Sequence, residues 1–130
     1  MKIEIPEIKK ETFEVRRSIK NIKKMHAFQL KVAEIAEEFD GKELSFEEMA
    51  KAQVVGDSSR IEATEKFLKD ILNLSEKEVE KLEELERDEF DLIQSRIVLA
   101  LQGYTEEDIE KIFKVEDEED PKKEQALKSE

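Results

Sequence analysis

The sequence predicts a mainly α-helical fold, a small bundle of about five or six helices with a short N-terminal β-hairpin or extended arm. Three observations predict it. From Ser18 onwards apolar side chains recur every three or four residues, the spacing that collects them on one side of a helix. Ser45 with Glu48, Ser75 with Glu78 and Thr105 with Asp108 repeat one pattern, a hydroxyl that can accept from the amide three residues on and an acid that can reach back. The three glycines, at 41, 56 and 103, each follow a periodic stretch, where a helix is expected to stop.

Lys2-Ile3-Glu4-Ile5 and Thr12-Phe13-Glu14-Val15 alternate polar with apolar, and Pro6 and the pair Lys9-Lys10 separate them, so residues 1–16 read as a hairpin or two extended arms. A two-stranded hairpin is marginal alone and must lean on the helices. From about Ser18 to Phe39 the period is helical: Ile19, Ile22, Met25, Val32, Ile35, Ala36 and Phe39 share one broad arc, and Asp40-Gly41 supplies the stop. A helix over 46–55 is expected to end at Gly56, with Asp57-Ser58-Ser59 capping another through Leu72 that buries Ile61, Phe67, Leu68 and Ile71. Val79, Leu82 and Leu85 mark the turns after Ser75. The polar run Glu86-Arg87-Asp88-Glu89 then favours a break over one continuous rod, with Asp88 able to cap the helix carrying Phe90, Ile93, Ile97, Ala100 and Leu101 up to Gly103. Residues 106–114 add a last short helix. Beyond it, Glu116-Asp117-Glu118-Glu119-Asp120-Pro121-Lys122-Lys123 has almost nothing to bury. Residues 1–115 are therefore expected to form one domain, and 116–130 a disordered charged tail with a solubilising or spacing role, or a specific contact.

Composition bounds the function. A chain of 130 residues can bury one modest core. Charged residues are 45% of it, against about 25% in typical globular domains, which implies a thin core inside a highly charged surface. The net charge of −12 disfavours nucleic acid and anionic membranes, which require a surplus of Lys and Arg. That charge is uneven: residues 1–33 hold nine of the 23 bases and four of the 35 acids, leaving 14 bases against 31 acids in the rest. Cysteine is absent, which excludes disulfides, thiolate metal sites and a Cys nucleophile, and fits a reducing compartment. Met1-Lys2-Ile3-Glu4-Ile5-Pro6 lacks the apolar core of a signal peptide, and no stretch approaches the ~18 apolar residues of a membrane span. A soluble cytoplasmic protein is expected.

No catalytic constellation emerges. His26 is the only histidine and has no neighbouring Ser, Cys or second His with which to build a relay or a metal site; its expected place is the edge of the apolar arc. The acidic run lacks the alternating ligands and central glycine of a calcium loop, and three glycines that each follow a helix cannot assemble a phosphate-cradling loop. Neither a cofactor nor a metal is expected, and the chain reads as a non-enzymatic binder. Two surfaces could do the binding. Arg16, Lys20, Lys23, Lys24 and Lys31 project together if the first helix reaches back to Arg16; this basic stripe is either a solvated face, an internal counterpart to the acidic half, or a dock for an acidic partner. Ile97-Val98-Leu99-Ala100-Leu101 is apolar around most of its helix, so that helix is either central or covered by a partner.

From Phe67 to Phe113 the order of segments carries a resemblance. Leu72-Asn73-Leu74-Ser75-Glu76 opens a helix, Leu82-Glu83-Glu84-Leu85 and a polar break follow, then Phe90-Asp91-Leu92-Ile93-Gln94-Ser95-Arg96-Ile97-Val98-Leu99-Ala100-Leu101-Gln102-Gly103 and Tyr104-Thr105-Glu106-Glu107-Asp108. This stretch, about a third of the chain, resembles the tail assembly chaperones of long-tailed bacteriophages infecting Gram-positive hosts. The resemblance implies a mostly helical protein of the host cytoplasm, not carried into the mature virion. It would bind the long helical tape-measure protein without catalysis, keep it soluble and help tail-tube subunits assemble around it. It also implies that a longer product can arise by frameshifting near the end of the reading frame. On this reading the apolar turns of the tape measure are received by the helices around Ile61 to Leu72 and Phe90 to Leu101, through Ile61, Phe67, Leu68, Ile71, Phe90, Ile93, Ile97, Val98 and Leu101. A homo-oligomer stays open. The competing reading is a small regulatory or adaptor protein, antitoxin-like or an anti-activator, that sets its basic first helix against nucleic acid or an acidic protein.

Overall fold

In the computed structural model, which describes residues 1–114, the chain runs β1 (Lys2–Ile3), β2 (Phe13–Glu14), α1 (Ile19–Glu37), α2 (Phe46–Leu72), α3 (Glu76–Glu83), α4 (Arg87–Leu101) and a fifth helix, α5, over residues 106–114. The mainly helical class with a short N-terminal hairpin is the one expected. The boundary at 115 and the tail over 116–130 lie outside the described residues.

β1 and β2 pair antiparallel, Lys2 opposite Glu14 and Ile3 opposite Phe13, which decides for a hairpin over two separate arms. So short a ladder cannot stand alone, and apolar burial with long-range hydrogen bonds holds it. Ile3, Ile5, Ile8, Phe13 and Val15 are all buried. Lys81 Nζ donates to the Ile8 carbonyl at 3.1 Å and Arg96 Nη1 to the Glu4 carbonyl at 3.1 Å, so α3 and α4 pin the loop between the strands.

Local capping starts α2, α3 and α5 at the three hydroxyls of the pattern, and α1 at a further one, Ser18. Ser18 Oγ accepts from Asn21 N at 3.2 Å and Ser45 Oγ from Glu48 N at 3.2 Å. At Ser75 the exchange is reciprocal, with Glu78 N donating to Ser75 Oγ at 3.3 Å and Ser75 N to Glu78 Oε1 at 2.9 Å. That backbone donor holds the Glu78 carboxyl below the usual carboxylate range. Thr105 and Asp108 make the same exchange, at 3.2 and 3.3 Å.

Two boundaries differ from expectation. α2 does not end at Gly56; it runs unbroken from Phe46 to Leu72. Gly56 sits where α1 passes, and a Cβ there would lie 3.9 Å from Ile35 Cγ2. Ala52, Gly56, Ser59 and Ala63 recur at helical spacing along the clefts that α2 shares with α1, so the cluster of small residues is a packing face and not a turn. Packing offsets the ~1 kcal/mol that an interior glycine costs a helix. Because 3.9 Å is ordinary contact and Gly56 keeps a helical φ, Gly56→Ala is expected to raise stability by about 0.5–1 kcal/mol in a urea titration; a fall would mean that the backbone there needs glycine. The second difference is at α4, whose cap residue is Glu86 and not Asp88, which lies in the first turn. Arg87 is held from both sides, by Asp57 and by Asp91 one turn on, and so takes up helical geometry ahead of Asp88.

Gly103 closes α4 with φ +103°, as expected of a glycine past a helix end. Arg17 lies across it, its Nε donating to the Leu101 carbonyl at 3.0 Å, a cation set against the negative end of the helix. Phe28 of α1 stacks on Phe67 of α2 at the hairpin end of the core, ring centroids 4.4 Å apart and 7° from parallel. Met25, Leu68, Ile71, Leu82, Phe90, Ile93, Ile97, Leu101 and Ile109 complete it from all five helices. Among the described residues no buried side-chain nitrogen or oxygen lacks a partner.

One charge is poorly accommodated. Partial burial and the neighbouring Glu83 carboxylate hold Glu65 above the ordinary carboxylate value. Its favourable contribution is present in acid and is lost as pH rises through the raised value. Glu65→Gln is therefore expected to melt higher than the parent at neutral pH, with the gap closing near about pH 4; an equal gap at both pH values would remove the electrostatic cause.

Candidate functional site: an unpartnered helical hairpin

From Gln29 to Ala63 no residue is buried. The second half of α1 and the first half of α2 leave the core as an antiparallel pair; at 1.5 Å rise per residue α1 runs about 14 Å beyond the Phe28–Phe67 stack and α2 about 32 Å. Apolar side chains continue along both helices regardless. Val32, Ile35 and Ala36 of α1, with Phe39 just past its end, form a stripe that faces Ala52, Val54 and Gly56 of α2 across an open groove of about 600 Å³. Phe46 and Met49 extend the groove side of α2 towards its N-terminus, each seven residues before a lining residue, Gln53 or Gly56. Phe46 is 87% exposed and Met49 50%. Val54 and Val55 are also exposed. So many large apolar side chains on one short hairpin mark a surface that something covers.

At the base of the hairpin the groove opens into a second cleft of about 410 Å³, lined by Phe28, Val32, Ile61, Thr64 and Phe90. An ionic clasp sits there. Arg87 grips Asp57 with Nη1 to Oδ2 at 3.1 Å and Nη2 to Oδ1 at 2.9 Å, while Arg60 reaches Asp57 Oδ1 at 3.1 Å. The Arg87 guanidinium accordingly holds the Asp57 carboxyl below the usual range and is itself pushed up. The clasp ties α4 to the middle of α2, so the hairpin projects from a fixed base. Exposed pairs add little stability singly, but a two-pronged Arg–carboxylate contact fixes orientation.

The residues expected to receive a partner are placed unevenly. Phe67, Leu68, Ile71, Phe90, Ile93, Ile97 and Leu101 are buried by the chain's own elements, whereas Ile61 and Val98 are half-buried against them. Of these nine, Ile61 and Phe90 line the basal cleft and Phe67 a neighbouring one between α1 and α2. The apolar helix ending at Gly103 is thus central. The basic stripe is not continuous: α1 starts at Ile19, so Arg16 lies off the helix, and its carbonyl accepts from Asn21 Nδ2 at 2.8 Å. Lys24 and Lys31 share a cleft with Glu62 and Asp70 of α2, while Lys20 and Lys23 are exposed. His26 is exposed beside buried Met25. Phe46, Met49, Val54 and Val55 escaped the sequence reading. Their signal was available, since four large apolar residues fall within one ten-residue stretch at Phe46–Val55 with no single helical face to hold them all.

Among the described residues there is no cluster of three or more His, Asp or Glu side chains placed to hold a metal, and no helix long and apolar enough to cross a membrane. A sequence model of a protein family, described as phage tail assembly chaperone proteins, TAC, matches residues 1–119. No curated protein and no solved structure matches the chain.

Proposed function

This chain belongs to the family of phage tail assembly chaperone proteins, and from that premise we propose that it binds the tape-measure protein, keeps it soluble and assists assembly of the tail tube around it. The role is one of binding and assembly, without a chemical step. One observation carries the reading: a rigidly based helical hairpin presents facing apolar stripes over 35 consecutive residues, 29–63, none of which is buried. A long helical protein made before its tube exists exposes an apolar stripe of its own and aggregates through it. Covering that stripe segment by segment in a helical groove removes the exposed area. The net charge of −12 keeps the complex dispersed. Binding takes place in the host cytoplasm, and the chaperone leaves as tube subunits displace it.

Co-expression with fragments of the tape-measure protein of the same phage tests this. Fragments that precipitate alone are expected to stay in the supernatant and to co-purify with the chain. Retention of none of a set of fragments spanning the whole tape measure would sink the proposal.

A further inference from the structure

The free end of the hairpin carries a charge that its apolar groove lacks. Between Glu34 and Lys51 the chain carries seven acids, Glu34, Glu37, Glu38, Asp40, Glu43, Glu47 and Glu48, against two bases, Lys42 and Lys51, and all nine are exposed. Acids stand on α1, on the connection and on the first turn of α2; none of the seven lines the groove, and with the two bases they give the tip beside it a net charge of −5. A second copy is a poor occupant, because tip-to-tip association would set two such acidic ends against each other. A helix bearing acids beside its apolar stripe meets the same repulsion. A cationic one is attracted from a distance by the field of the tip.

Resting on the chaperone reading, we infer that the groove takes an amphipathic helix whose apolar stripe is flanked by Lys or Arg, with Phe46 and Met49 as the apolar contacts and the negative field of the acidic tip as the selecting influence. The stretch of α2 from Phe46 to Arg60 matches about four turns of such a helix. The chaperone would then select, along a long helical client, the basic amphipathic segments over the acidic ones.

The test uses the full chain and two synthetic helical peptides with one identical apolar stripe, flanked by Lys in the first and by Glu in the second, titrated by fluorescence anisotropy. The Lys peptide is expected to bind at least tenfold tighter at low salt, and to lose most of that advantage at about 0.5 M salt. Phe46→Ser with Met49→Ser should weaken it tenfold or more while the circular dichroism spectrum stays unchanged. Glu37→Gln, Glu38→Gln, Glu47→Gln and Glu48→Gln together should erase the preference between the peptides. Equal binding of the two peptides by the parent, or binding indifferent to Phe46 and Met49, overturns the inference, as does salt-resistant self-association that the same serine substitutions abolish. Failure here separates from failure of the chaperone reading. If tape-measure fragments are retained equally by the parent and the serine variant, the reading stands and this surface is wrong. If the Lys peptide binds as described but every fragment precipitates, the surface stands and the client is wrong.

Discussion

Ile97→Ala is expected to remove about 2–5 kcal/mol of stability, enough to leave much of the chain unfolded. Ile97 has 0% of its surface exposed, and α4 around it packs against the other helices and the N-terminal loop. Truncation loses the transfer free energy of the removed methyl groups and leaves a cavity that rigid neighbours cannot fill. Urea denaturation reads the change as a lowered midpoint with an unchanged slope. The result has a functional use. Ile97 was among the residues expected from sequence to contact a partner, so the folded fraction of Ile97→Ala should bind clients as the parent does, whereas Phe46→Ser should stay fully folded and bind poorly. If Ile97→Ala instead kept its stability and lost the client, α4 would be a binding surface after all.

Phe67→Ala is expected to cost about 3–5 kcal/mol, of which the stacking geometry with Phe28 supplies about 0.5–1.5 kcal/mol beyond the buried area. The two rings are the last buried apolar contact before α1 and α2 leave the core together. Their loss should therefore be felt twice, in global stability and in the fixed angle at which the hairpin projects. Amide hydrogen exchange checks the second effect. In Phe67→Ala, protection between residues 29 and 63 should fall by more than in Ile97→Ala once each is compared at equal global stability. A uniform fall across the chain would mean that the hairpin is not seated on this stack.

Much of the fold was legible in local chemistry. Ser18, Ser45, Ser75 and Thr105 each accept the bond expected of a helix start, and Gly103 adopts the positive φ expected of a helix end. These devices act within four residues, so short-range pattern is sufficient to read them. Gly56 misled because a glycine followed by Asp and two serines has the local chemistry of a stop, and only the approach of Ile35 from another helix makes it part of a packing face. Asp57 misled for the same reason: its partner, Arg87, is thirty residues away. Arg17 drew no notice in a row of basic residues, yet it closes the end of α4 across an even longer separation.

That this protein is helical, where its helices begin and that its surface is strongly charged all follow from local chemistry, because capping bonds, side-chain periodicity and net charge are properties of neighbours or of sums. Which apolar faces are already occupied depends on packing between distant segments. Ile97 and Phe46 are both large apolar residues on helices, and the run Ile97–Leu101 left open whether its helix is central or covered by a partner. The first is covered by residues far along the chain, whereas the second is 87% exposed among the described residues. Burial is a long-range quantity, so the surface left for a partner becomes visible only after the chain's own contacts have been subtracted.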